Sequence, residues 1–132
     1  MNITSKREKI SADKSELFAF LEDLTNYEQL MPDQIADWEA GKDKFRFSVP
    51  GMAEIGMKLS EVKRYERVAL SSDGKVPFNF SLTFRITPGD ESQQAYIEFA
   101  GDVPAMLSIM AKKPLQNLID HMMRSLRLHF QD

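Results

Sequence analysis

Hydrophobic spacing changes period twice along this chain. From Asp13 onward, Leu17, Phe20, Leu21 and Leu24 recur at i, i+3, i+4 and i+7, which predicts a helix with one buried face. Asp13 and Glu16 have the spacing of a capping box, in which each side chain serves a backbone N–H left free at the helix start. Residues 2–10 are polar and extended in character and predict a first strand ending at Ile10. A second short helix is expected from Thr25 to Leu30, stopped by Pro32.

The period then becomes two. Ala36, Trp38 and Ala40 make a weak strand pattern. Phe45, Phe47 and Val49 alternate with Arg46 and Ser48 before a turn at Pro50-Gly51, and Ala53, Ile55, Met57 and Leu59 share the next register. Val68 and Leu70 suit a further strand, closed by Ser72-Asp73-Gly74 as a hairpin. Phe78, Phe80, Leu82, Phe84 and Ile86 alternate strictly with polar residues, and Ala95, Ile97 and Phe99 return after Pro88-Gly89-Asp90. Consecutive strands joined by short polar turns predict an antiparallel meander with one wet and one dry face.

The last third reverts to helix. Leu115, Leu118, Ile119, Met122, Met123, Leu126 and Phe130 fall in a stripe of about 140° at 100° per residue. A helix over 114–130 would run about 25 Å and has its natural home across the dry face of the sheet. Pro114 is expected to restart or kink it, after a short helix over 104–112 whose C-terminal end carries Lys112 and Lys113.

Composition narrows the function classes. At 132 residues the chain is expected to be one domain, 1–132. A net charge of −3 argues against a broad nucleic-acid footprint, so no nucleic-acid partner is expected. The absence of cysteine excludes disulfides, thiolate nucleophiles and Cys-ligated metals. The first residues show no apolar h-region, and the longest apolar stretch, Val103 to Ala111, is too short to span a bilayer. The expectation is a cytoplasmic protein with no membrane span.

Together, one strand, two short helices, a six-stranded meander and a long C-terminal helix resemble the helix-grip fold of the Bet v 1 and START-like (SRPBCC) superfamily. The markers are the run Ile10-Ser11-Ala12-Asp13-Lys14-Ser15-Glu16-Leu17-Phe18-Ala19-Phe20-Leu21 and the terminal helix from Pro114, and the likeness covers the whole chain. The chain most resembles small bacterial members labelled polyketide cyclase/dehydrase-like. The resemblance implies an α+β domain: a curved antiparallel sheet wrapped around the C-terminal helix, two short helices between strands 1 and 2, and a hydrophobic cavity. That superfamily includes lipid, hormone and quinone binders, cyclases and chaperone-activating domains, so the fold leaves function open.

The inward registers carry no acid, base or hydroxyl, whereas general acid–base catalysis needs a proton-transferring group within hydrogen-bond reach. Glu61 continues one register but is expected at a strand end near solvent. His121 falls on the polar side of the terminal helix and reads as solvated, and His129 lies in the last turn. Neither has metal-ligand company, so no metal and no cofactor is expected. Gly51 and Gly56 lack the lysine and hydroxyl ending of a phosphate loop. Nine phenylalanines and eight methionines suit either a packed core or an adaptable cavity. The reading is a binder of a small hydrophobic molecule, lipid-, quinone- or polyketide-like, without evident catalysis. The alternatives are a cyclase/dehydrase-type enzyme and a protein-interaction or chaperone-activating module with a filled core. In the geometry that the resemblance implies, Phe47, Met57, Phe80, Phe84 and Phe99 face a cavity from strands, and Met110, Leu118 and Met122 face them from the C-terminal segment.

Overall fold

A computed structural model describes residues 1–49 and 54–131. The expected turn at Pro50-Gly51 and the inward position Ala53 lie outside the described residues. The strands are β1 (Asn2–Thr4), β2 (Glu8–Ile10), β3 (Ala36–Ala40), β4 (Lys44–Ser48), β5 (Glu54–Lys63), β6 (Arg67–Ser72), β7 (Phe80–Thr87) and β8 (Gln93–Gly101). The helices are α1 (Lys14–Glu22), a 3-10 helix (Leu24–Leu30) and α2 (Ala105–His129).

The strands form one curved antiparallel sheet in the order β1-β8-β7-β6-β5-β4-β3, with β2 also paired to β8. The meander is therefore closed on β8 by the N-terminal strands. The expected single first strand is interrupted at Ser5. Its N–H donates to the carbonyl of Ile97 at 2.8 Å, and its Oγ accepts from the N–H of Ile97 at 2.8 Å. The buried hydroxyl thus stands in for a missing ladder bond.

α1 begins where the capping spacing places it: Asp13 Oδ1 accepts the N–H of Glu16 at 2.8 Å. Asp23 plays the same part for the 3-10 helix, accepting from Thr25 N–H at 3.1 Å and from its hydroxyl at 2.6 Å. In β5 a bulge between Leu59 and Glu61 shifts the register. Val62 takes the inward side opposite Val68, and Glu61 turns out to pair with Arg67 at 2.5 Å. Gly56 is required by proximity rather than by any ligand. A Cβ there would stand 2.4 Å from the carbonyl oxygen of Asp73.

Two boundaries differ from expectation. β7 begins at Phe80, and Phe78 belongs to the connection after β6, where Gly74 adopts φ +74°. The Ser72-Asp73-Gly74 hairpin is therefore a longer loop.

The second difference is larger. α2 runs unbroken through Pro114, so Lys112 and Lys113 lie mid-helix and not at a C-terminus. The ring removes one backbone bond, and the carbonyl that loses it belongs to the exposed turn at Met110, where water can serve it.

α2 lies on the sheet through Ile119, Met122, Met123 and Leu126, all buried. Polar bonds hold it along β1 and β2: Asp120 Oδ1 accepts from the N–H of Lys6 at 2.8 Å, Gln116 Nε2 donates to the carbonyl of Thr4 at 2.9 Å, and Arg127 pairs with Glu8 at 3.2 Å.

Candidate functional site

A cavity of about 620 Å³ lies between the sheet and α2. Its sheet wall is aromatic and aliphatic: Phe47 lies in β4 and Val49 just after it, Ile55 and Met57 come from β5, and Phe80, Leu82 and Phe99 come from β7 and β8. These residues point inward because strand alternation sends every second side chain to the concave face. Phe80 and Phe99 stack with centroids 5.6 Å apart, and Phe78 packs edge-on to Phe99 at 6.5 Å. The helix wall is Ala111, Pro114, Leu115, Leu118 and Ile119.

Polar side chains gather at the rim. Asp33 and Gln34 come from the segment after the 3-10 helix, and Asn117, His121 and Arg124 come from α2. Asp33, Gln34, Asn117 and Arg124 are exposed, so the cavity reaches the surface here. Arg124 Nη2 lies 3.4 Å from His121 Nδ1. A guanidinium only donates, so the ring nitrogen is the acceptor. Asp120, one helical turn before Arg124 and its natural ion-pair partner, is occupied by Lys6 and Gln116.

Of the expected lining residues, Phe47, Met57, Phe80, Phe99 and Leu118 come together in the wall. Three do not. Met110 is 76% exposed, because a helix continuous through Pro114 keeps its phase and carries this residue about 100° round from Ala111. Phe84 is fully buried in the core, its ring 5.8 Å from that of Tyr27. Met122 is also fully buried, one turn past Leu118, where the space is already filled.

His121 corrects the expectation in the other direction. Its place on the polar side of α2 predicts solvent, yet it is half-buried in the cavity wall. Its phase about 60° from Leu118 was a usable signal, since a groove wider than the apolar stripe takes in the flanking residues. Phe78 was expected in a strand and lines the cavity from a loop. His129, in the last turn, packs against Phe20 with centroids 4.5 Å apart and the rings tilted by 40°.

Besides Ser5, the described core holds two further buried polar side chains. Tyr27 is fully buried and donates to the carbonyl of Leu21 at 2.9 Å, and burial pushes its phenol far above the ordinary range. Gln93 is tied to backbone by its amide, donating to the carbonyls of Ala12 and Gly89 at 3.2 and 3.3 Å. Neither lines the cavity. Among the described residues no cluster of three or more His, Asp or Glu side chains could hold a metal ion.

No family model matches the chain, and no curated protein matches it either. Solved structures do. A conserved protein from Geobacillus kaustophilus superposes with a TM-score of 0.74 at 16% identity, covering 98% of this chain and 95% of that one. A START superfamily protein from Mycobacterium smegmatis gives 0.67 at 17% identity, over 98% and 96%. A norcoclaurine synthase point mutant from Thalictrum, in complex with a transition-state analogue, gives 0.71 at 14% identity, over 99% and 96%. The chain has the Bet v 1/START-like fold.

Within this fold the α2 wall divides by height: Leu115 and Leu118 supply the apolar depth, while Asn117, His121 and Arg124 supply a hydrogen-bonding edge. No described helix is long and apolar enough to cross a membrane.

Proposed function

We propose that this chain binds a small hydrophobic molecule, lipid-, quinone- or polyketide-like, in the cavity between the sheet and α2, without catalysing its conversion. The observation that carries this reading is the cavity itself: about 620 Å³ with walls that are apolar except at the rim. Ligand sites occupy about 300–1,000 Å³ and are mostly apolar with a few polar groups that fix orientation. The apolar portion of the ligand would sit against Phe80, Phe99 and Leu118, and a polar head would meet Asn117, His121 and Arg124. The volume speaks against an interaction module with a filled core.

Leu118→Trp tests this reading. The side chain is half-buried and faces the cavity, so the larger ring has room to enter. The variant should melt within a few degrees of the parent and lose uptake of an environment-sensitive apolar dye. Equal dye uptake in both proteins would overturn the reading.

One observation favours a second reading, a cyclase-type enzyme. His121 places a proton-transferring side chain in the cavity wall beside Arg124. On that reading His121→Gln abolishes turnover of a polyketide-like substrate while dye uptake persists.

A further inference from the structure

We propose that the first two turns of α2 form a docking surface for an anionic lipid bilayer. Met106 and Ile109 are each 87% exposed, Met110 is 76% exposed and Leu107 is 44% exposed. Apolar side chains this exposed and this close together mark a surface meant to be covered.

The charge around them identifies what covers it. Residues 103–119 contain Lys112 and Lys113 and no acid, in a chain whose net charge is −3. At 100° per residue, Ile109, Met106 and Met110 span an arc of about 100°, and Lys113 falls inside that arc. Lysines beside an exposed apolar arc suit a helix lying in the bilayer interface, with its apolar side chains among the acyl chains and its ammonium groups at anionic head groups. A second copy fits less well. Across such a pairing, residues 103–119 of the second copy would offer no acid to match the lysines. Asp102, just before α2, is the nearest acid in sequence on the N-terminal side.

The surface is contiguous with the cavity. Ala111 and Pro114 line it from the same helix segment. The N–H of Asp102 donates to the carbonyl of Asn79 at 2.9 Å, which places the loop carrying Pro77 and Phe78, also lining residues, beside the start of α2. The bilayer assignment does not depend on what the cavity holds.

The test is co-sedimentation of the full chain with phosphatidylcholine vesicles, with and without phosphatidylglycerol. The expected result is tighter binding to the anionic vesicles by about tenfold or more, weakened by added salt. Met106→Ser/Ile109→Ser/Met110→Ser should abolish sedimentation with the melting temperature and dye uptake retained, because these side chains are exposed. Lys112→Gln/Lys113→Gln should remove the preference for phosphatidylglycerol. The proposal is overturned if the parent protein ignores anionic vesicles or if the triple variant still sediments with them. It is equally overturned if the parent is a dimer that the triple variant converts to monomer.

Discussion

The space between the sheet and α2 has two ends that differ in how they are occupied. At one end the 3-10 helix drives Tyr27 against Phe45 and Phe84, with ring centroids 5.6 and 5.8 Å apart, and Met122 on α2 is fully buried. At the other end Phe47, Phe80 and Phe99 line the cavity without a corresponding plug. Both ends are built from the same residue types on the same alternating strands. What separates them is the reach of the 3-10 helix, which ends at Leu30 and leaves Pro32 to Ile35 at the cavity edge. Composition therefore does not distinguish packed core from open cavity. The length of one connecting element does.

The contrast can be broken by truncating one ring at each end. Phe84→Ala removes a fully buried side chain surrounded on all sides and should destabilise by about 3–5 kcal/mol in denaturant unfolding. Phe80→Ala removes a ring that already faces open space, so fewer contacts are lost and the loss should be about half as large. Equal losses would mean that the two ends are packed alike.

Enlargement gives the reverse contrast. Met122→Trp inserts volume where there is none and should destabilise by about 1–3 kcal/mol, seen as a lower melting temperature. Leu118→Trp, one turn earlier, should leave the melting temperature within a few degrees while dye uptake is lost. A stable Met122→Trp protein would place unfilled space at the plugged end too.

These two methionine and leucine positions also show what was legible in the sequence. The order of elements was readable because a change of period from two to 3.6 reflects backbone geometry directly. The strand members of the cavity wall followed from alternation, and Phe47, Met57, Phe80 and Phe99 do line it. Depth along α2 was not readable. Leu118 and Met122 are four residues apart and share a face, yet Leu118 lines the cavity and Met122 is fully buried in the core. Pro114 misled for a related reason. Its local penalty argues for a break, but one missing bond at an exposed turn did not interrupt α2, and Met110 was carried outward with the helix. His121 was missed because the polar side of a helix was equated with solvent, whereas the cavity edge includes it.

The plugged end depends on α1 as well as on the 3-10 helix, since Leu17, Phe18 and Leu21 are buried beside it. Asp13→Ala removes the acceptor for the N–H of Glu16 and should cost about 1 kcal/mol, with dye uptake unchanged. The expected thermal shift is a few degrees. A change in dye uptake in this variant would mean that the two ends are coupled through α1.

The smallest effect concerns how the plug responds to acid. The hydroxyl of Thr25 first, and its N–H second, hold the carboxyl of Asp23 below the ordinary carboxylate range. A carboxyl lowered in the folded state contributes stability at pH above its unfolded value of about 4, and that contribution is lost as the pH falls through the lowered folded value. Glu61, held low by Arg67, and Glu66, held low by Lys63, act in the same direction at the far end of β5 and β6. The melting temperature should therefore be flat near neutrality and fall as the solution is acidified below about pH 4. Asp23→Asn keeps a side-chain acceptor for the N–H of Thr25 but cannot titrate, so its melting temperature should fall less steeply with acid. Glu61→Gln should flatten the slope by acting on the hairpin, with the 3-10 helix untouched. Following the Tyr27 ring signals by NMR through the same acid titration separates the two: an early change that Asp23→Asn removes and Glu61→Gln retains assigns the first loosening to the plug. If neither variant alters that change, the caps at the plugged end do not set its acid response.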